Sequence, residues 1–131
     1  MKIGVFGGCF NPPHKSHKQL SELLLENGYV DEIIFVPTGD FYPKRDLASF
    51  EDRVNMLKLM VRDHDKMSVS ELGATKDCEF TYQLMDKLKD EYPEAQLHFV
   101  CGTDNLRELN SWKRYEYILS NYNVLVARRN G

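Results

Sequence analysis

The strongest constraint on the fold is an alternation along the chain of short apolar runs with longer amphipathic stretches. Five runs have the length and residue types of β-strands: residues 3–6, 33–36, 67–69, 97–101 and 124–127. Four of them are apolar at successive positions, as the strands of a parallel sheet covered on both faces must be, whereas 67–69 is less apolar and is expected at an edge. Strand and helix in regular succession predict an α/β fold, a doubly wound parallel sheet of about five strands with helices on both faces.

Four of the stretches outside these runs have apolar residues at the spacing of one helix face. They contain Leu20, Leu23 and Leu24; Val54, Leu57, Met60 and Val61; Leu84, Met85 and Leu88; and Tyr115, Ile118 and Leu119. Gly28 is expected to end the first helix and Ser49 to cap the start of the second. The third helix is expected to stop before Pro93, because proline excludes the helical conformation from the residue ahead of it.

Length, charge and cysteine content narrow the class of protein. A chain of 131 residues fits one domain, and its net charge of −3 disfavours a polyanionic partner such as nucleic acid. Three widely spaced cysteines, Cys9, Cys78 and Cys101, have no C-x-x-C pair and favour reduced thiols over a disulfide frame. No run reaches the ~20 apolar residues of a membrane span, and the first strand is too short for a signal peptide, so a cytoplasmic protein is expected.

The segment that carries chemistry follows the first predicted strand and reads GGCFNPPHKSH over residues 7–17. The paired glycines Gly7 and Gly8 let backbone amides approach a phosphate without a side chain in the way. The helix that follows offers free N–H groups and the positive end of its dipole. The spacing matches neither the phosphate loop G-x-x-x-x-G-K-[ST] nor the dinucleotide motif G-x-G-x-x-G. An anion site of another kind is therefore predicted at this bend.

Two histidines, His14 and His17, lie three residues apart where the chain enters this helix, so both imidazoles can face one bound group. An imidazole donates a hydrogen bond to a phosphoryl oxygen and, when protonated, adds positive charge as negative charge builds in a transition state. The pair therefore favours phosphoryl or nucleotidyl transfer. Two alternatives stay open: solvated residues at an ordinary helix start, and a metal pair with Cys9 as the nearest thiolate.

The same segment resembles the G-G-x-F-[DN]-P-x-H-x-[GA]-H motif of the nucleotidyltransferase superfamily, in the form found in bacterial nicotinate-mononucleotide adenylyltransferases. The resemblance continues along most of the chain, through Pro43-Lys44, Ser49 with Arg53, Phe80-Thr81-Tyr82-Gln83-Leu84, Gly102-Thr103-Asp104-Asn105-Leu106, Trp112-Lys113 and Val126-Ala127-Arg128-Arg129. It implies a Rossmann-like version of the doubly wound sheet.

The chain departs from the family pattern in three places. Ser16 stands where the family usually has Gly or Ala, and Leu84 replaces a usual threonine. The family also has a later I-S-[ST]-x-x-R segment, which grips the triphosphate, and this segment does not occur before Gly131. Residues 1–131 are therefore expected to be a single Rossmann-like nucleotidyltransferase domain that is incomplete at its C-terminus.

The resemblance implies a role for each matched residue. The expected catalytic residues are His14, His17 and Lys44. The expected ATP-binding residues are Gly7, Gly8, Cys9, Phe10, His14, His17, Gly102, Asp104 and Arg129. The expected acceptor-binding residues are Thr81, Trp112 and Asp104. From residue types alone, Asp104 and Thr81 could equally cap helices, and Trp112 could pack in the core.

The chemistry that the resemblance implies is adenylyl transfer from ATP to nicotinate mononucleotide in NAD biosynthesis, giving deamido-NAD and pyrophosphate by direct in-line attack without a covalent intermediate. Mg²⁺ is expected on the ATP phosphates, with no metal held by the protein alone. ATP and the mononucleotide are the expected partners; nucleic acid and membrane are not, and a homo-oligomer is compatible with the sequence. The alternatives are an enzyme for nicotinamide mononucleotide and a nucleotide-binding relative without turnover.

Overall fold

A five-stranded parallel sheet forms the centre of the computed structural model, which describes residues 1–8, 10, 12–39, 48–74, 78, 80–102 and 114–127. Its strands are β1 (Lys2–Gly8), β2 (Glu32–Pro37), β3 (Met67–Val69), β4 (Gln96–Gly102) and β5 (Asn123–Ala127). The strand order is β3-β2-β1-β4-β5, and each neighbouring pair is parallel. The predicted doubly wound sheet is confirmed, and β3 lies at an edge as expected.

The helices are α1 (Lys15–Glu26), α2 (Phe50–Val61), α3 (Thr81–Glu91) and α4 (Tyr115–Asn121), with a 3₁₀ turn at Leu72–Ala74. Their ends follow the sequence rules. Gly28 adopts a φ of 74° just after α1, where a left-handed residue ends a helix, and the hydroxyl of Ser49 accepts the Asp52 N–H at 3.1 Å. Helix α3 ends at Glu91, ahead of Pro93, so these predicted boundaries are confirmed.

Two apolar cores lie on opposite faces of the sheet. On one face, α1 and α2 pack through residues such as Leu24 and Leu57 against Phe35 of β2. On the other face, α3 packs through Met85 and Leu88 against β1 and β4, and α4 contacts α3 and β5. Helices therefore cover both faces, which explains why β1, β2 and β4 have almost continuous apolar sequences.

Strand β5 departs from the sequence prediction. The run 124–127 was expected to be buried on both faces, but Val126 is 42% exposed and Asn123 is also exposed. The reason is its position, since among the described residues β5 pairs with β4 alone and so lies at an edge of the sheet that these residues form. An apolar run of this length cannot distinguish a central strand from an edge strand.

The strand order places a switch point between β1 and β4. The connection after β1 leads to β2 on one side, whereas β4 lies on the other side and leads to β5. In open parallel sheets a ligand crevice forms outside the carboxyl ends of the strands at such a point. Gly8 ends β1 and Gly102 ends β4, so the two glycine-containing segments of the sequence meet at the same edge.

Cys78 and Cys101, the cysteines that the structure describes, are buried, and burial raises the pKa of the Cys101 thiol. Within the described ranges, the helices are all too short or too polar to cross a membrane.

One buried polar side chain lies in the sheet itself. His98 of β4 is 9% exposed, and within the described part of the chain neither of its ring nitrogens has a hydrogen-bond partner. Burial and the positive charge of Lys2 lower the pKa of the His98 imidazole. Because an unpartnered buried imidazole resists protonation, His98 is neutral at pH 7.

We expect His98 to make the folded state sensitive to acid. As the pH falls below about 6.5, the unfolded chain binds a proton at His98 that the folded chain excludes, so the free energy of unfolding decreases. In His98→Leu, urea unfolding should show a smaller decrease between about pH 7.5 and about pH 5. His64→Leu, with the substitution in the turn after α2, is the control; equal pH dependence in wild type and His98→Leu would contradict this role.

Candidate functional site

The chain bends sharply after β1 because two glycines end the strand. The carbonyl of Gly8 accepts the Thr38 N–H at 2.9 Å, which ties the end of β1 to the residue after β2. A Cβ at Gly7 would lie 3.2 Å from the ring of Phe99, closer than most side chains tolerate. Glycine at this position therefore lets the strand lie directly against β4 and leaves its backbone accessible at the carboxyl edge.

Phe10 anchors the bend. Its φ is 50°, in the left-handed region that a residue with a bulky side chain rarely adopts. The ring is buried and contacts Phe6 and Phe35, each with centroids 5.7 Å away. This aromatic packing offsets the backbone strain at Phe10, which is of order 1–3 kcal/mol.

His14 and His17 are linked by a hydrogen bond at the start of α1. His14 is the N-cap residue, and its backbone N–H donates to Nδ1 of His17 at 2.9 Å. The backbone N–H of His17 donates in turn to the carbonyl of His14 at 3.0 Å. Because Nδ1 of His17 accepts, the neutral ring carries its proton on Nε2 and presents that atom as a donor.

The two imidazole rings lie together, as their spacing predicts. Their centroids are 5.7 Å apart with an interplanar angle of 26°. The ring of His17 is half-buried and meets Phe10 at 5.0 Å and Phe6 at 5.5 Å edge to face, whereas His14 is exposed. The sheet thus fixes one imidazole, and the second lies above it toward solvent.

Two lysines, Lys15 and Lys18, follow His14 along α1. A cavity of about 630 Å³ between α1 and α2 has His14, Lys15 and Lys18 on one side and Met56 and Met60 on the other. Within the described ranges, no group of three or more His, Cys, Asp or Glu side chains could hold a metal ion. The two lysines were not among the predicted site residues, although their spacing with His14 places them on the first turns of the same helix.

Arg53 of α2 is fully buried and was predicted only as part of the family motif. Its Nε donates to the carbonyl of Ala48 at 2.9 Å, and its Nη1 donates to the carbonyl of Thr38 at 2.7 Å. One guanidinium therefore joins the residues on either side of positions 39–47, which include Lys44. A cation within the apolar spacing of an amphipathic helix is the sequence signal that could have indicated a buried arginine.

Thr81 is the first residue of α3 and is half-buried. The N-cap is Phe80, whose N–H donates to Oε1 of Gln83 at 3.0 Å. The alternative that Thr81 caps this helix is therefore wrong.

The structure brings Gly7, Gly8, Phe10, His14 and His17 together at the bend and places Gly102 at the end of the adjacent strand. The predicted residues Cys9, Lys44, Asp104, Trp112 and Arg129 lie outside the described residues.

Comparison with known proteins agrees with this geometry. The model of the cytidylyltransferase-like family matches residues 5–130. The chain belongs to this family.

A probable nicotinate-nucleotide adenylyltransferase of Endomicrobium trichonymphae is 34% identical over 132 residues, which are 99% of this chain and 68% of the relative. One of the same name from Acholeplasma laidlawii is 35% identical over 96% of this chain and 66% of the relative. The chain thus spans about two thirds of the length of the curated relatives it matches.

Solved structures that are named as adenylyltransferases have the same fold as this chain. A putative nicotinate-nucleotide adenylyltransferase from Vibrio parahaemolyticus superposes with a TM-score of 0.83 at 25% identity, over 100% of this chain and 76% of that one. The Plasmodium falciparum nicotinic acid mononucleotide adenylyltransferase, complexed with NaAD, has the same fold, with a TM-score of 0.78 at 19% identity over 99% and 76% of the two chains. The predicted family and Rossmann-like fold are confirmed, and the nucleotidyltransferase class with them.

We expect Arg53→Lys to destabilise this family member, because a lysine cannot donate to both carbonyls in the planar geometry that Arg53 uses. Loss of a charged hydrogen bond beside a buried carbonyl should lower the free energy of unfolding by about 2–3 kcal/mol. Arg62→Lys, at the exposed end of the same helix, should change it by less than about 0.5 kcal/mol. Urea unfolding followed by circular dichroism measures both, and equal stability of the two variants would contradict the role of Arg53.

Proposed function

We propose that this protein transfers the adenylyl group of ATP to nicotinate mononucleotide, giving deamido-NAD and pyrophosphate. The observation that carries the proposal is the linked pair His14 and His17, set at the start of α1 beside the glycine bend of β1. Supporting it, the relatives at 34% and 35% identity bear the name of this activity.

The reaction needs alignment of two anions more than it needs a nucleophile from the protein. An oxygen of the 5′-phosphate of the mononucleotide attacks the α-phosphorus of ATP in line, and the bond from that phosphorus to the oxygen of the departing pyrophosphate breaks. No covalent bond to the protein forms. Catalysis therefore depends on donors that neutralise the negative charge on the α-phosphate and the leaving group.

The start of α1 supplies such donors. Nε2–H of His17 is fixed by the bond at Nδ1 and by the rings of Phe6 and Phe10, so it needs little reorganisation when charge develops. His14 is exposed and adds a second imidazole beside the first. The dipole of the 12-residue helix favours an anion at the same end.

The remaining matched residues complete the proposed site. Lys44 is the third catalytic residue, and Gly7, Gly8, Cys9, Phe10, Gly102, Asp104 and Arg129 join the two histidines in binding ATP. Thr81, Trp112 and Asp104 bind the acceptor nucleotide.

Members of the family generally use a divalent metal ion with ATP. We assign Mg²⁺ to the ATP phosphates, whose oxygens it prefers, where it neutralises part of the charge of the pyrophosphate.

The direct test is to incubate the full-length protein with ATP, Mg²⁺ and either nicotinate or nicotinamide mononucleotide and to measure pyrophosphate. We expect release with nicotinate mononucleotide. Release of pyrophosphate with nicotinamide mononucleotide, but not with nicotinate mononucleotide, would contradict the proposed acceptor. Saturable ATP binding without release on either acceptor would identify a binding protein and overturn the enzymatic proposal.

We expect His17→Ala to lower kcat by about 10²- to 10³-fold, the scale of one lost transition-state donor, while the Kd for ATP changes by less than about threefold. His17→Asn separates the two roles of the ring. Its amide oxygen can still accept the His14 N–H, but the variant lacks a donor at the position of Nε2, so its kcat should stay low. Steady-state kinetics measure kcat and equilibrium binding measures the Kd for ATP, with His64→Ala as control. Equal losses in kcat and in ATP affinity would reject a transition-state role for His17.

A further inference from the structure

A carboxylate on α3 joins both ends of α4. Oδ1 of Asp86 accepts the hydroxyl of Tyr117, in the first turn of α4, at 2.9 Å, and also accepts the hydroxyl of Tyr122, just after the helix. The hydrogen bond to Asp86 raises the pKa of Tyr117, and burial with the bond to Asp86 raises the pKa of Tyr122. Both phenols therefore remain donors across the physiological pH range, and α4 is held to α3 at two points.

Arg114, the residue just before α4, also takes part in this connection between the two helices. Its φ is 55°, a left-handed conformation that a non-glycine residue rarely adopts. The guanidinium lies 4.4 Å from the ring centroid of Tyr117 and 5.0 Å from that of Tyr82, the second residue of α3. The carbonyl of Arg114 accepts the Ile118 N–H at 3.2 Å. We call Asp86, Tyr82, Arg114, Tyr117 and Tyr122 the Asp86 cluster.

The Asp86 cluster lies beside the predicted acceptor site. Tyr82 follows Thr81 directly and stacks on Phe80 with centroids 6.3 Å apart, so both neighbours of Thr81 are held by aromatic contacts. Arg114 follows Trp112 by two residues in the sequence. Helices α3 and α4 each precede a strand of a parallel sheet, so both begin at its carboxyl edge, where ligands bind in such folds.

We propose that Asp86 is a positioning residue for the acceptor nucleotide: through Tyr117, Tyr122 and Arg114 it fixes the start of α4 against the start of α3, where Thr81 lies. The inference rests on the proposed function. Asp86 does not touch substrate in this arrangement. Its loss allows the two helix starts to separate, which weakens a pocket built from both of them but leaves the phosphate-binding bend on the opposite face of the sheet unchanged.

This location distinguishes positioning from a general structural role. His17 contacts Phe6 and Phe10 of the α1 and α2 core, whereas Asp86 joins elements on the α3 and α4 side. A loss of stability alone reduces the fraction of folded enzyme and lowers the apparent kcat without changing either KM. A positioning role instead raises the KM for one substrate and not for the other.

The experiment compares Asp86→Ala with Asp90→Ala, which removes an exposed carboxylate one turn along the same helix. We expect Asp86→Ala to raise the KM for nicotinate mononucleotide about tenfold, with the KM for ATP changed by less than about twofold. Asp86→Asn keeps an acceptor oxygen and should restore most of the affinity. If Asp86→Ala does not fold, Tyr117→Phe removes one donor while keeping the ring and should raise the same KM.

A second readout does not need turnover. Trp112 is the only tryptophan of the chain and belongs to the proposed acceptor site, so we expect its fluorescence to change when the mononucleotide binds. If the wild-type protein is active and Asp86→Ala raises the KM values for both substrates together, or changes neither, the positioning role alone is overturned. A wild-type protein that neither releases pyrophosphate nor binds the mononucleotide overturns the proposed function and this inference with it. Binding without turnover, weakened in Asp86→Ala but not in Asp90→Ala, supports the positioning role while rejecting the enzymatic proposal.

Discussion

The hydrogen bond from the backbone of His14 to Nδ1 of His17 is the interaction on which the rest of the site depends. It satisfies an N–H that α1 leaves unpaired at its start, and it determines which nitrogen of His17 carries the proton. One side chain therefore stabilises the helix and orients its own chemical group. The start of α1 and the imidazole of His17 therefore form a single unit, and the ring of Phe10 packs against that imidazole with centroids 5.0 Å apart.

Much of this arrangement was predictable because the signals are local. Strand and helix periodicity, the cap at Ser49 and the glycine after α1 depend on neighbouring residues, and the structure confirms each of them. The histidine pair is also local, since three residues in a helix bring two side chains together. Low apolar content identified β3 as an edge strand, but the apolar run of β5 carried no such signal, and for that reason β5 was expected to be more buried than it is among the described residues.

The contacts that the sequence did not reveal join residues far apart in the chain. Arg53 contacts Thr38 across 15 positions, and Asp86 contacts Tyr117 across 31. No rule of sequence spacing predicts either contact, because each depends on how whole helices and strands pack against one another. Arg53 carried a weak sign of its role, a charged residue at a core-facing position, whereas Asp86 lies on a helix face that reads as ordinary polar surface. Family motifs identify residues that touch ligands more readily than those that hold the ligand-binding elements in place.

The sheet itself explains how two anionic substrates can be aligned. The proposed phosphate groups belong to the α1 side and the proposed acceptor groups to the α3 and α4 side, and β1 and β4 are paired directly between them. A paired strand ladder is among the stiffest connections that a protein can make, whereas the flanking helices can shift against it. Precision at the reacting phosphorus therefore depends on how firmly each helix start is fixed to this common frame. On the α1 side the aromatic rings beneath His17 provide that fixation, and on the other side the carboxylate of Asp86 does so through hydrogen bonds. A change in the proposed acceptor pocket is consequently expected to alter substrate affinity without disturbing the proposed transition-state donors on the α1 side.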